Sequence, residues 1–201
     1  MVEDITRGPF KIFRNEILKL HPACSDAEWD YLNSGLEVQQ LKTKAFFIEA
    51  GKAHNHLGFV VSGLVRAFYI DSRGEEITVL FIKESEYATD YPSFLMQVPG
   101  RYHFQCLEPT IIITLPYLHM QQGYLLFPGF ERYGRLVAEE VLKTLQKRVE
   151  SFQFDRAEQR YLTFTQQNPE LFQRISLTHL ASYLGIERPS LSRIRKNIAH
   201  Q

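Results

Sequence analysis

Apolar residues change their spacing along the chain, and each change marks a new kind of element. Over residues 6–20, Ile12, Phe13, Ile17, Leu18 and Leu20 recur at the spacing of one helix face. Asp26–Leu36 predicts a second, short helix, with Ser25 as its N-cap. From residue 38 to 115 the helical period gives way to short runs rich in β-branched and aromatic residues: Lys44–Glu49, Leu57–Val61, Leu64–Ile70, Glu76–Phe81, Tyr102–Leu107 and Ile111–Leu115. Turn signals separate them at Gly51, Ser62-Gly63, Asp71-Ser72-Arg73-Gly74, Pro99-Gly100 and Glu108-Pro109. Short strands at this spacing predict an all-β barrel, sandwich or jelly roll. Ser62-Gly63 is expected to close a two-residue hairpin.

Helical spacing then returns. Pro116–Gln122 predicts a short helix opened by its proline. Phe130–Phe152 predicts a long one, with Phe130, Val137, Val141, Leu145 and Phe152 along one seam, broadened by Leu136 and Val149. One face can pack on the β domain while the other pairs with a second chain as a coiled coil; a core helix with a single apolar face is the plainer alternative. Arg156–Gln166 predicts a further helix, broken at Gln167-Asn168-Pro169 because the residue before proline avoids the α region.

The most informative pattern lies over residues 176–198. Ser176 is a good N-cap, and Leu177, Leu180, Ala181 and Leu184 share one helical face. Gly185 stands where the helix must end and the chain turn left-handed. Pro189 opens a second helix whose inner face carries Leu191, Ile194 and Ile198. Small Ala181 lets the second helix cross closely. This is a helix-turn-helix pattern. Its outward residues are Arg188, Ser190, Ser192, Arg193, Lys196 and Asn197, with Arg195 at the edge. Guanidinium groups can fork onto guanine, hydroxyls and the amide can meet bases or phosphates, and lysine neutralises phosphate. A plain αα-hairpin with a solvated basic face is the competing account.

Composition narrows the classes. The chain has 201 residues, 44% hydrophobic and 23% charged, which suits a folded protein rather than a disordered one. Its 23 basic residues balance its 23 acidic ones, but unevenly: residues 1–154 hold 16 basic and 19 acidic, residues 155–201 hold 7 and 4. That split favours a polyanion at the C-terminal end. Apolar runs such as Ile111–Leu115 fall far short of the roughly 20 residues of a membrane span. The first residues, MVEDITRGPF, lack the apolar stretch of a secretory signal. Cys24 and Cys106 are too few for a disulfide scaffold, so a cytoplasmic protein is expected.

Taken together, Phe59-Val60-Val61-Ser62-Gly63-Leu64-Val65-Arg66, Asp71-Ser72-Arg73-Gly74-Glu75-Glu76, Phe81-Ile82 and Leu177 through Lys196 resemble the Crp/Fnr transcriptional regulators. The resemblance implies an α+β fold. A cyclic-nucleotide-binding-type, jelly-roll-like β-roll would cover residues 1–125, a dimerisation helix 126–153 and a helix-turn-helix domain 154–201. It implies a homodimer on near-palindromic double-stranded DNA, with two recognition helices about one DNA turn (roughly 34 Å) apart. RNA polymerase and an unidentified small-molecule effector are the other implied partners, and no enzyme activity is expected. Members usually add a β-hairpin wing; with the chain ending at Gln201 and a short Asn168–Ile175 link, the wing is expected to be missing or vestigial.

The resemblance also places a possible effector pocket at Glu84, Glu86, Arg101 and Tyr102. Nucleotide-binding members use a Gly-Glu loop, then an Arg followed by small residues, around the phosphate. Here Lys83–Pro92 has no glycine and carries Glu84, Glu86 and Asp90, while Tyr102 and His103 follow Arg101. Repulsion and crowding predict no binding of cAMP; another ligand, or none, stays open.

The alternative from another class is a cupin-like metal-binding enzyme with an appended helical hairpin. His54 and His56 would share a strand face, with His103 as a later ligand. Valines stand where the cupin glutamate is expected, so a hydrophilic loop, with no metal and no cofactor, is the preferred account. Cys106 is expected to be a small buried apolar residue rather than a redox sensor. His119 and His179 are expected on helix surfaces.

Overall fold

The computed structural model describes residues 2–199, with side chains from 8 to 198. The chain divides into two compact units. The first comprises the residues up to Ala67 together with Phe81–Glu140; the second comprises Phe68–Leu80 and the residues from Val141 onward.

The first unit opens with helices α1 (Val2–Leu20) and α2 (Asp26–Ser34). Ser25 caps α2 in a full capping box: its Oγ accepts the Glu28 N–H, and the Glu28 carboxylate accepts the Ser25 N–H. Along the chain eight short strands follow, β4 and β5 running partly into the second unit: β1 (Glu37–Leu41), β2 (Phe46–Ile48), β3 (His56–Ser62), β4 (Val65–Ile70), β5 (Glu76–Ile82), β6 (Tyr87–Ala88), β7 (His103–Cys106) and β8 (Thr110–Pro116). They form two four-stranded sheets, ordered β1-β8-β3-β6 and β2-β7-β4-β5. Helix α3 (Tyr91–Met96) lies between β6 and β7, α4 (Tyr117–Leu126) follows β8, and α5 (Pro128–Phe154) runs on into the second unit.

Sheet order corrects one expectation. Ser62-Gly63 does not close a hairpin, because β3 and β4 belong to different sheets. It is a corner that carries the chain from one sheet to the other. Gly63 sits at φ +98°, and its N–H donates to Glu84 Oε1 at 2.9 Å. A Cβ there would stand 2.6 Å from Thr110 Oγ1 and 2.7 Å from the Pro109 carbonyl. Glycine is therefore required by both dihedral and space. Just before the corner, the β3–β8 register slips between Val60 and Ser62, skipping Val61, while Val60, opposite Ile112 of β8, exchanges hydrogen bonds on its other side with the Ser85 N–H and the Glu86 carbonyl.

Burial explains why the helices of the first unit hold to the roll. Phe13 and Ile17, one turn apart on α1, join Trp29, Leu32, Phe59, Ile113, Leu115, Phe94 and Met120 in one apolar cluster. The Phe13 and Phe59 rings lie 4.8 Å apart. Cys106 is fully buried in β7, and His119 is half-buried, stacked 4.3 Å from Tyr31 rather than lying on an open surface. Three elements lack an expectation: β1, β6 and α3. β1 is an edge strand with only Val38 and Leu41 apolar, held by its ladder to β8.

The second unit holds the Phe68–Leu80 segment, the latter half of α5, α6 (Ala157–Gln167), a 3-10 turn at Pro169–Gln173, α7 (Leu177–Leu184) and α8 (Arg188–Ala199). Among the described residues, no strand lies between α6 and α7. No described helix is long and apolar enough to cross a membrane.

Trp29, the sole tryptophan, is buried in the first unit and reports on it by fluorescence. Gly63→Ala should lower the urea midpoint of the Trp29 transition, with a loss above about 2 kcal/mol from left-handed strain and the backbone clash.

Candidate nucleic-acid interface

The second unit is built around the end of α7. Ser176 Oγ accepts the His179 N–H at 3.0 Å and starts the helix. Leu180, Ala181 and Leu184 are buried. Gly185 then adopts φ +64°, ψ +40°, and the Ile186 N–H returns to the Ala181 carbonyl at 3.1 Å. That is the six-to-one bond of a Schellman turn, which a left-handed glycine permits. Leu191 of α8 is fully buried, with Ile194 and Ile198 half-buried beside it. Tyr161 and Phe164 of α6, Leu171 and Ile175 complete the small core.

Two arginines clamp the turn from neighbouring helices. Arg148 of α5 donates to the Tyr183 carbonyl at 2.9 Å and lies 3.8 Å from the Tyr183 ring centroid. Arg160 of α6 donates to the Leu184 carbonyl at 2.9 Å and to the Asp155 carbonyl at 2.7 Å. Both guanidiniums also flank the Phe152 ring, at 4.9 and 5.1 Å. The last carbonyls of a helix lack intrahelical donors and carry its negative dipole end, so cations there are stabilising. Burial holds the Arg148 guanidinium below its ordinary pKa. Phe152 fills the remaining side of the turn, 2.7 Å from where a Gly185 Cβ would be. Sequence gave no signal for Arg148 or Arg160, since their partners are backbone carbonyls.

A second clamp comes from the β4–β5 turn. Asp71 Oδ1 accepts the N–H groups of Arg73 and Glu75, and Gly74 turns at φ +83°. The Asp-x-x-Gly spacing is thus an Asx-type turn. Beyond it, Ser182 of α7 donates to the Glu76 carbonyl at 3.0 Å and accepts the Thr78 N–H at 2.8 Å.

With α7 held in this way, α8 presents its polar residues outward. Arg188, Ser192, Arg193, Arg195, Lys196 and Asn197 are exposed, and Ser190 is half-buried. At about 100° per residue, Arg193, Lys196 and Asn197 share the face opposite Leu191. Arg188 and Ser192 lie on one flank, joined by a 2.9 Å hydrogen bond from Nη1 to Oγ. Ser190 lies on the other flank, and Arg195 borders the core face. The expected set is therefore a face with two flanks rather than one row.

FixK2 of Bradyrhizobium japonicum is 14% identical to this chain, with a TM-score of 0.73 over 83% of this chain and 85% of its own. CLP of Xanthomonas campestris, a c-di-GMP-responsive global regulator, is 15% identical, with a TM-score of 0.70 over 88% and 92%. A regulator from Eubacterium rectale assigned to the Crp/Fnr family is 14% identical, with a TM-score of 0.69 over 87% and 83%. The fold is that of the Crp/Fnr regulators. No protein-family model and no curated protein matches the sequence.

The residues of the expected dimer seam differ in exposure along α5. Phe130 is only 7% exposed and belongs to the core of the roll, and Val137 packs against the same cluster. Phe130 thus packs within its own chain, whereas Val137 is half-buried. In the second unit Val141, Leu145 and Phe152 are exposed by 41%, 41% and 43%, but Leu142 and Val149 are more open, at 65% and 55%. Leu142, Leu145, Val149 and Phe152 follow the alternating three-four spacing of a coiled-coil face.

The effector-pocket residues fall on separate segments of the roll. Glu84 accepts the Gly63 N–H, and Glu86 accepts the Lys83 N–H at 3.0 Å; both carboxylates hold main-chain turns. Arg101 is exposed just after Gly100, and Tyr102 is half-buried. The cupin-type set is not assembled. His54 stacks on Phe94, and His103 Nδ1 accepts the Ala50 N–H while its ring tilts against Phe46.

Gly185→Ala should destabilise the second unit by about 1–2 kcal/mol from its left-handed backbone and the Phe152 contact. Amide exchange of α7 and α8 should quicken while the Trp29 transition stays in place.

Proposed function

We propose that this chain is a DNA-binding transcription regulator of the Crp/Fnr type. It acts as a cytoplasmic homodimer on near-palindromic promoter DNA. Residues 1–125 form the sensor roll, 126–153 the dimerisation helix and 154–201 the DNA-binding domain. The observation that carries this reading is the exposed basic face of α8, fixed in direction by the Gly185 turn. Arg193 reads a base edge, Lys196 neutralises phosphate, and Arg188, Ser190, Ser192, Arg195 and Asn197 complete the contact surface. Leu142, Leu145 and Val149 supply the dimer face. RNA polymerase is the downstream partner.

The roll does not take cAMP. Glu84 and Glu86 place negative charge near the Gly63 corner and are engaged with backbone donors. A phosphodiester would meet repulsion there without a glycine-rich cradle of N–H groups. A different small-molecule effector is consistent with this surface. The similarity to transcription regulators, and the unassembled cupin-type histidines, weigh against an enzyme.

Selection of bound sites from random duplex DNA should yield an inverted repeat with half-sites one helical turn apart. On that site, Arg193→Ala should lose roughly 1–3 kcal/mol of specific binding, whereas Lys196→Ala should weaken all sequences alike and reduce the salt slope by about 1. Unchanged affinity in both variants would remove the docking face proposed here. Calorimetric titration with cAMP should give no binding heat; a micromolar dissociation constant would contradict the account of the roll.

A further inference from the structure

The corner between α1 and α2 gathers three side chains that the regulator function does not use. His21 follows the last turn of α1, its N–H bonded to the Ile17 carbonyl. Cys24 lies in the connecting turn, and Glu28 in the first turn of α2. One donor atom from each lies within 4.8 Å of the other two. Among the described residues this is the only such convergence of histidine, cysteine and carboxylate groups.

Their arrangement is that of ligands held ready. His21 is 7% exposed, with its Nε2 3.3 Å from Glu28 Oε1. Two ligands each about 2.0–2.1 Å from one tetrahedral ion stand about 3.3–3.4 Å apart. A charge-assisted hydrogen bond prefers roughly 2.7–2.9 Å. The capping box fixes which glutamate oxygen faces the histidine. Glu28 Oε2 accepts Ser25 N–H at 2.8 Å and Ser25 Oγ–H at 3.0 Å, leaving Oε1 turned inward. Cys24 Sγ makes only a long 3.7 Å contact with the Ser25 carbonyl, so a modest side-chain rotation can bring it in. Gly129, at the start of α5, keeps space open over the pair: a Cβ there would lie 2.4 Å from Glu28 Oε1 and 2.6 Å from His21 Nε2.

We propose that His21 Nε2, Cys24 Sγ and Glu28 Oε1 form a three-ligand site for a borderline divalent cation of the zinc or iron(II) type, with a fourth position open. Sulfur, imidazole nitrogen and carboxylate oxygen together suit such ions better than magnesium or calcium. Binding converts the Cys24 thiol to a thiolate, forms the metal–sulfur bond and releases one proton to solvent.

The test is a cobalt(II) titration of the full chain under anaerobic, thiol-free conditions after reduction, followed by absorbance and by thermal melting. The wild-type protein should show a thiolate-to-cobalt charge-transfer band and tetrahedral ligand-field bands, both removed by zinc, and zinc should raise the Trp29 melting temperature. Cys106→Ala should keep the charge-transfer band, and Cys24→Ser should abolish it. Glu28→Gln, which retains the capping geometry, should lose the zinc-induced rise in melting temperature. Ser25→Ala should weaken binding by about 10–100-fold as a positioning residue for Glu28. No charge-transfer band in the wild type, or a band that persists in Cys24→Ser, would overturn the site and leave His21–Glu28 as a structural hydrogen bond only. The test is independent of DNA binding and stands or falls apart from the regulator assignment.

Discussion

Where helix α7 ends, its final carbonyls have no partners within the helix, and a chain about to reverse direction must bury them. Arg148 and Arg160 resolve this by donating to the Tyr183 and Leu184 carbonyls from two other helices, while Phe152 closes over Gly185. Once the left-handed turn is fixed, the path into α8 is fixed, and with it the side of α8 that Leu191 anchors. Everything attributed to the outer face of α8 depends on that constraint. Because Arg148 and Phe152 belong to α5, the same helix carries the clamp and, at Leu142, Leu145 and Val149, an open apolar face.

The roll uses an analogous device. A strand that leaves one sheet for another needs a sharp corner with its donors satisfied, and Gly63 with Glu84 supplies both. The Ser-Gly-Leu-Val-Arg segment thus has a structural reason independent of ligand binding. So does Asp71-Ser72-Arg73-Gly74, whose carboxylate organises the β4–β5 turn and leaves the Glu76 and Thr78 backbone to meet Ser182. Glu84, which reads in sequence as a ligand-repelling carboxylate, is also a turn cap.

Local signals made much of this legible. The α7–Gly185–α8 pattern, the Ser25 cap and the main strands follow from periodicity and turn chemistry, and each is present. The failures share one cause, which is that long-range pairing overrides local preference. Ser62-Gly63 looks like a hairpin because sequence shows the turn and not the sheets on either side. β1 is polar enough to pass for a loop until β8 pairs with it. Arg148 and Arg160 are invisible in sequence because nothing local marks an arginine that serves a carbonyl on another helix. The His21, Cys24 and Glu28 cluster is likewise assembled only by the corner between two helices.

The central claim is that the outer face of α8 is the surface that meets DNA. Amide hydrogen exchange of the full chain, with and without duplex DNA at low ionic strength, tests it most directly. The account predicts slowed exchange concentrated in α8 and the first turn of α7, with the strands of the roll unchanged. Unaltered exchange in α8, or protection confined to the roll, would contradict it.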